Sequence, residues 1–282
     1  MEPIRPFRWN IARGDRLGSL LDGHEHEPEY LPHLAECAAK VLARSSDGDL
    51  YFVGRSADSV FDLLSGVLAE TPYASRLHQL PLSLYGSDGE DLTATERAQL
   101  RTNLTSSGLS PNDLAGRRRP VVFADLVLHG STFTNLHHHL RDWIDDERAA
   151  WNVIRTKIRY VGITVREKTS PNTWRWQQHE DWVTELPGKA VCNVSVDLWL
   201  WRYLGNHQPK TAHSFRRTRW ADPEVTVPRH DEEARRGLAQ AVALYQHGRT
   251  REVREEIHEV LTGEPTFREP WLRGIARALR GR

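Results

Sequence analysis

The stretch PVVFADLVLHGST, residues 120–132, decides the fold. Four apolar residues from Val121 onward predict a buried strand that ends at the carboxylate of Asp125. A short loop containing Gly130 follows, and the spacing of the apolar residues from Phe133 to Trp143 predicts a helix. Ligands of open α/β sheets bind beyond the carboxyl ends of the strands, so Asp125 and this loop mark the expected functional edge.

Predicted strands and helices alternate on both sides of that stretch. This order favours an α/β fold with a parallel sheet flanked by helices. The nearest comparable unit is a strand at 50–53, a turn at 54–56 and a helix that begins at Ala57. Further strands are predicted at 80–84, 158–165 and 191–196, and a first helix is predicted at 28–43.

Two segments interrupt or extend the alternation. Residues 86–118 begin with a turn cluster and contain a capping box, Thr93 to Glu96, so we expect an insertion above the sheet. After Pro228 the apolar spacing is helical throughout. The sequence therefore predicts an α/β domain at 1–228 and a helical C-terminal extension at 229–282.

Composition excludes several classes of protein. The chain has 282 residues, 39% of them hydrophobic and 27% charged, with a mean hydropathy of -0.60. These values fit a folded core with a solvated surface, and no apolar run is long enough to span a membrane. Lys plus Arg equals Asp plus Glu at 38 each, so no net charge favours nucleic acid or a membrane surface as a partner. With two cysteines and no signal-peptide pattern, we expect a cytoplasmic protein.

The loop after Asp125 has the chemistry of a phosphate site. Gly130, Ser131 and Thr132 at a helix start supply backbone N–H groups, two hydroxyls and the positive end of the helix dipole. The Asp125 carboxylate before the loop is able to accept hydrogen bonds from sugar hydroxyls. A phosphorylated sugar satisfies both requirements.

The same residues resemble the diphosphoribosyl-binding signature of the type I phosphoribosyltransferases. In that family two acids hold the ribose hydroxyls and the following loop surrounds the 5′-phosphate. The resemblance implies that Asp125 matches the second acid and contacts the ribose during catalysis. The resemblance also implies that the 5′-phosphate is bound by four consecutive residues at the end of the loop and the start of the helix: Gly130, Ser131, Thr132 and Phe133.

A second segment, FVGRSA at 52–57, resembles the family's first strand and pyrophosphate loop. The resemblance implies that Arg55 is the basic residue that meets the diphosphate, together with Gly54, Ser56 and Ala57. It also implies a type I phosphoribosyltransferase-like fold with the insertion at 86–118 in the position of the family's mobile flap. A role in nucleotide metabolism, Mg²⁺ as cofactor and a possible homodimer belong to the same set of expectations.

Three positions depart from the family pattern. Ala124 replaces the first acid, Leu128 stands where many members have a loop Asp, and His129 replaces a loop Thr. His129 is a candidate cation or proton carrier beside the phosphate, because imidazole titrates near neutral pH. Two functions stay open: transfer of ribose 5-phosphate to a nitrogenous acceptor, or regulatory binding of a nucleotide or sugar phosphate without turnover.

The remaining motifs have simpler interpretations. The histidines at 137–139 are expected on a solvated helix face, since consecutive helical residues diverge by about 100°. Most tryptophans between 174 and 220 are expected in the core, and one of them is a candidate platform for the acceptor base. Asp197 is either a further contact for Mg²⁺ or the acceptor, or a helix cap. The arginine runs at 117–119 and 216–219 are expected to be solvated or paired with acids.

Overall fold

The computed structural model describes residues 9–21, 23, 30–84, 92–166, 175–215 and 229–281. Five strands form one sheet in the order β2-β1-β3-β4-β5, and every neighbouring pair is parallel. The α/β fold with a parallel sheet flanked by helices, predicted from the sequence, is therefore confirmed. The strands are β1 Asp49–Val53, β2 Leu77–Leu80, β3 Val121–Leu126, β4 Ile158–Val165 and β5 Val191–Val196.

Ten α-helices and several short helical turns surround the sheet in the described part of the chain. None of these helices is both long enough and apolar enough to cross a bilayer. The helices are α1 Leu31–Ala43, α2 Asp58–Val67, α3 Ala94–Ser106, α4 Pro111–Gly116, α5 Ser131–Asp146, α6 Trp151–Ile154, α7 Leu198–Arg202, α8 Glu232–Arg249, α9 Arg251–Gly263 and α10 Pro270–Arg280. Shorter turns are Ile11–Arg16, Gly18–Leu20, Ala74–Arg76, Trp176–His179, Asp181–Glu185, the π-helical Tyr203–His207 and Pro265–Arg268.

The two faces of the sheet bury separate apolar clusters. Alternate residues of a strand point to opposite faces, so Phe52 and Val122 pack on one side while Tyr51 and Phe123 pack on the other. Helices α1, α2, α8, α9 and α10 contribute to the first cluster, and α3, α4 and α5 contribute to the second. Both faces are thus covered, as parallel sheets require.

The C-terminal helices belong to the first of these clusters. Helix α8 lies so close to α2 that a Cβ on Gly66 would come within 2.0 Å of the Tyr245 carbonyl oxygen. A Cβ on Gly248 would likewise come within 2.4 Å of the Leu63 oxygen. Residues 229–281 therefore pack directly on the α/β domain, with Ile257 fully buried in its core.

Two elements differ from their predicted bounds by three residues or more. The first helix begins at Leu31 rather than 28, because Tyr30 has a left-handed φ of 60° that helical backbone does not tolerate. The second strand is Leu77–Leu80 rather than 80–84, because Pro81 has no N–H to donate to the sheet. Leu82 and Leu84, which suggested a strand by their alternation, are buried in the core without pairing in the sheet.

The segment at 86–118 falls partly outside the described residues, since the description resumes at Leu92. The predicted capping box, Thr93 with Glu96, caps the start of α3, and a second capping box at Ser110, which was not predicted, caps the start of α4. Leu104 and Leu114 are buried against the sheet face that also carries Phe123. The described part of this segment is therefore a layer of the core, whereas the sequence predicts an insertion above the sheet.

Candidate functional site

A cavity of about 190 Å³ opens where the carboxyl ends of β1 and β3 meet. The strand order reverses its direction at this point, because the chain leaves β1 toward β2 on one side and leaves β3 toward β4 on the other. Open α/β sheets bind ligands at such a reversal. The lining, here called the strand-end cavity, includes Gly54, Arg55 and Ser56 after β1 and Asp125 at the end of β3.

The loop after β1 is held by main-chain contacts. Gly54 adopts a φ of 69° and donates its N–H to the Leu80 oxygen at 2.9 Å. A side chain at this position would be strained and would approach the Leu82 oxygen at 3.2 Å. Arg55 Nη1 donates to the Ala212 carbonyl at 2.6 Å, which positions its guanidinium beside the cavity.

A buried polar network supports that loop from below. Gln208 Nε2 donates to the Ser56 oxygen at 2.6 Å, and its Oε1 accepts from the Ser59 hydroxyl at 2.6 Å. Gln240 Nε2 then donates to the same hydroxyl at 2.9 Å. The network joins the loop, α2, α8 and the segment after the π-helical turn, so the cavity wall is fixed by four parts of the chain.

Asp125 is a buried carboxyl group, with 6% of the residue exposed. Burial raises the pKa of Asp125 to about 8. The Leu126 N–H, which donates to Oδ1 at 2.7 Å, and the charge of Lys210 act in the opposite direction. At neutral pH most molecules therefore carry a protonated Asp125.

Lys210 is the functional candidate that sequence reasoning missed. Its Nζ donates to the Arg55 oxygen at 2.7 Å and to the Leu204 oxygen at 3.3 Å, and the residue lines the cavity. Burial lowers the pKa of Lys210 to about 8, while the charge of Asp58 acts in the opposite direction. No local motif surrounds this residue, since its position depends on the long-range packing of Gln208.

The loop after β3 is shaped by an aromatic side chain. Gly130 has a φ of 91°, and a Cβ there would lie 2.3 Å from Cε3 of Trp176. Trp176 is itself held by a hydrogen bond from Nε1 to Asn193 Oδ1 at 2.9 Å. Thr132, in the first turn of α5, lines the cavity. Within the described chain the Thr132 amide has no hydrogen-bond partner, as is usual for a first helical turn.

The structure brings five of the predicted site residues to one cavity and places the others elsewhere. Gly54, Arg55, Ser56, Asp125 and Thr132 line the cavity. The remaining predicted residues lie outside the lining. Ala57 and Phe133 are buried in the two apolar clusters, and Gly130 is buried under Trp176. Ser131 is half-buried at the start of α5, and His129 is exposed.

One histidine contradicts the predicted solvated face. His137 is 1% exposed, its Nδ1 lies 3.2 Å from the Tyr160 hydroxyl, and its ring stacks on Trp182 at 4.5 Å. Burial lowers the pKa of His137 to about 4, so it is neutral in the core. The aromatic cluster on this face outweighs the polar character of the imidazole, whereas His138 is exposed as expected.

Other candidates lie away from the cavity. Asp197 precedes α7 and pairs with Arg166 at 3.3 Å, without a side-chain cap bond. Trp176 and Trp182 are core residues as predicted, whereas Trp199 is 69% exposed and Trp201 is partly buried. The expectations for Trp174, Trp220 and the arginines at 216–219 fall outside the described residues.

Metal binding by side chains alone has little support in the described part of the chain. No group of three or more His, Cys, Asp or Glu residues is placed there to hold an ion. Among the described lining residues Asp125 alone has a carboxyl group, so for these residues Mg²⁺ fits the site when the ligand supplies most of its oxygens.

No protein-family model matches this chain, and neither a curated protein nor a solved structure is significantly similar to it.

Proposed function

We propose that this chain is a phosphoribosyltransferase-like protein whose strand-end cavity binds a phosphoribosyl diphosphate donor. It transfers ribose 5-phosphate from that donor to a nitrogenous acceptor. One observation carries the proposal. Two loops 70 or so residues apart, each interpreted from its own sequence as part of a phosphoribosyl site, line the same cavity.

The charges in the cavity suit an anionic sugar. Thr132 offers a hydroxyl and an amide at the positive end of α5, which favours a terminal phosphate. Arg55 and Lys210 supply cationic groups on the side of the cavity next to β1, and the proposed diphosphate binds there. A protonated Asp125 adds no negative charge and is able to share a hydrogen bond with a ribose hydroxyl.

The proposed reaction asks for little covalent chemistry from the protein. The bond between the anomeric carbon and the diphosphate oxygen breaks, and a bond from that carbon to an acceptor nitrogen forms. Diphosphate leaves with the bonding electron pair, and the acceptor nitrogen loses a proton to solvent or to a nearby base. The residues of the chain contribute by orienting the donor and by stabilising the charge that develops on the leaving group.

Mg²⁺ remains part of the proposal through the donor. When bound, the ion would neutralise charge on the diphosphate, and among the described residues Asp125 is the one lining carboxyl group able to approach it. The role of His129 as a proton carrier also stays a prediction, with the side chain exposed beside the loop.

A second candidate function is binding without turnover. Ala124 is fully buried in the core at the position of the family's first acid, so the described cavity offers one carboxyl group to a ribose instead of two. A missing charge-assisted hydrogen bond weakens a complex by about 1.5 to 3 kcal/mol. A sensor of nucleotide or sugar phosphate would tolerate this loss, because it needs no transition-state stabilisation.

Calorimetric titration with phosphoribosyl diphosphate and Mg²⁺, followed by a diphosphate-release assay over a panel of nitrogenous bases, tests both functions. Release that requires a base supports the transferase, and binding without release supports the sensor. Absence of donor binding contradicts the placement of the site.

Two variants locate the binding. Thr132→Val and Arg55→Gln are each expected to weaken donor binding about tenfold, the effect of losing one charge-assisted contact. Thr105→Val, at an exposed position of α3, is the matched control, since its hydroxyl bonds only within its own helix. Equal affinity for the Thr132 and Thr105 variants would place the donor elsewhere.

A further inference from the structure

A second and larger cavity lies at the other end of α2. It has a volume of about 620 Å³ and forms where α8 ends, α9 begins and α10 ends. Its lining, here called the helix-end cavity, includes Glu70 just after α2. The strand-end cavity lies at Ser56, before α2, and the ten residues of that helix span about 15 Å. The two cavities are therefore separate sites.

Cations outnumber anions in this lining. The cavity contains Arg249, Arg251, Arg254 and Arg280 against Glu70 and Glu255, an excess of two positive charges. Arg249 pairs with Glu70 at 3.4 Å, and Arg251 pairs with Glu255 at 2.7 Å. Within the described chain, Arg254 and Arg280 have no carboxylate within 4.0 Å.

Arg254 differs from the exposed arginines of this lining because it is a buried cation. It is 8% exposed, its Nε has no hydrogen-bond partner, and its Nη2 reaches the Gly66 and Ala69 oxygens only at 3.5 Å. Burial and the charge of Arg249 lower the pKa of Arg254, which is the effect of a missing counter-ion. A buried cation without an anionic partner destabilises the fold, so a bound anion would satisfy it.

The rest of the lining narrows the class of anion. Helix α9 begins at this cavity with the positive end of its dipole, whereas α8 and α10 end there with their negative ends, so the arginines rather than the helix dipoles supply the positive potential. Leu279 is the single apolar lining residue among those described, and no aromatic ring is present there to stack on a base. Guanidinium groups match phosphate oxygens in bidentate geometry, so phosphate is favoured over a nucleobase or an apolar acid.

From the buried Arg254, which has no carboxylate partner in the described chain, the excess of cations and the guanidinium groups suited to phosphate, we propose that the helix-end cavity binds a compact polyphosphate. The ligand is inorganic triphosphate or the triphosphate tail of a nucleotide. This site is independent of the function proposed for the strand-end cavity, which is assigned to a sugar phosphate.

Calorimetric titration of the full chain with inorganic triphosphate tests the proposal. We expect binding that weakens steeply with added salt, and about tenfold weaker binding in Arg280→Gln. Arg277→Gln, three residues earlier on the exposed side of the same helix, is expected to bind like the wild type. Equal affinities of the two variants, or no binding at millimolar triphosphate, would overturn the proposal.

Two further arms separate the possible origins of a signal. Thr132→Val changes the strand-end cavity, and the triphosphate affinity of this variant is expected to be unchanged. A loss of affinity like that of Arg280→Gln would assign the signal to the strand-end cavity and overturn the proposal.

ATP is expected to bind with an affinity within a few fold of that of inorganic triphosphate. Binding of ATP more than about tenfold tighter would overturn the assignment to phosphate groups alone. Arg254→Gln, checked for folding by near-ultraviolet circular dichroism, is expected to weaken binding at least as much as Arg280→Gln.

Discussion

The two cavities at the ends of α2 are built in different ways. The strand-end cavity is small, about 190 Å³, and is formed by loops that leave a parallel sheet. Its Asp125 and Lys210 have shifted pKa values because both side chains are buried. The helix-end cavity is about 620 Å³, is formed by helix ends and relies on an excess of arginines. Burial thus controls protonation in the first cavity, and uncompensated charge defines the second.

This difference implies different responses to mutation and to solution conditions. A cavity shaped by strained loops should respond strongly to small changes of volume. A cavity defined by surface charge should respond weakly in stability and more clearly in ligand affinity and salt dependence. Four predictions test this contrast.

The largest effect is expected from Gly130→Ala in the loop between β3 and α5, next to the strand-end cavity. The added Cβ would meet the Trp176 ring at 2.3 Å and would hold alanine at a φ of 91°. Left-handed strain and overpacking together predict a loss of at least about 2 kcal/mol in the free energy of unfolding. Urea denaturation followed by tryptophan fluorescence measures this loss.

Gly188→Ala is the control, because its Cβ would enter open space and its φ is not left-handed. We expect its unfolding midpoint to match the wild type. If Gly130→Ala is equally harmless, Trp176 does not constrain the loop and the shape of the strand-end cavity is not set by this contact.

The sequence predicted the strand-end cavity better than the helix-end cavity for a physical reason. Gly54–Ser56 and Asp125 each follow an apolar strand, and parallel strands bring their carboxyl ends to one edge, so local patterns specify a shared site. The helix-end cavity combines Glu70 with Arg254 and Arg280, which are joined only by the packing of α2, α8, α9 and α10. No local pattern encodes that arrangement.

The same reasoning explains the individual errors. The buried position of His137 depends on the aromatic rings of Tyr160 and Trp182 across the core, which helical periodicity alone does not reveal. Lys210 enters the strand-end cavity through the Gln208 network, again by long-range contacts. In contrast, β4 and β5 have the predicted bounds, because their apolar residues recur at strand spacing and no proline interrupts them.

The second prediction concerns pH and Asp125. Between the usual pKa of an aspartate and about 8, the unfolded chain has lost this proton while the folded chain retains it. The wild type should therefore lose stability as pH rises through this range, by up to about 1.4 kcal/mol per pH unit. Asp125→Asn removes this dependence, and urea denaturation at pH 5.5 and 7.5 compares the two proteins.

The comparison between wild type and Asp125→Asn cancels the contributions of other groups, such as His137, that titrate in both proteins. Lys210→Met supplies an opposite check. The lowered pKa of Lys210 makes the folded lysine release its proton first, so the wild type should gain stability relative to this variant as pH rises above about 8. Parallel pH curves for wild type and Asp125→Asn would show that Asp125 is not buried as described.

The third prediction addresses the buried cation of the helix-end cavity. Arg254→Met removes a buried guanidinium that has no carboxylate partner in the described chain and only two long hydrogen bonds, and it keeps an apolar side chain against α2, so the free energy of unfolding should stay equal or rise by about 1 kcal/mol. Added triphosphate should raise the thermal midpoint of the wild type and not that of the variant. Arg277→Met, on the exposed face of α10, should respond to triphosphate like the wild type. A strong destabilisation by Arg254→Met would make this arginine a structural residue.

The smallest effect on stability is expected from Glu255→Gln. Its carboxylate pairs with Arg251 one turn earlier on α9, and both side chains are largely exposed, so the unfolding midpoint should not change measurably. The substitution also removes a negative charge from the lining of the helix-end cavity and releases Arg251 for a ligand. Triphosphate affinity should therefore increase about two- to fivefold, with a steeper salt dependence, while donor binding in the strand-end cavity stays the same.

Glu252→Gln, on the same helix, is the matched control for a general change of surface charge. An equal gain in both variants would mean that the overall potential of α9, rather than the lining of the cavity, attracts the ligand.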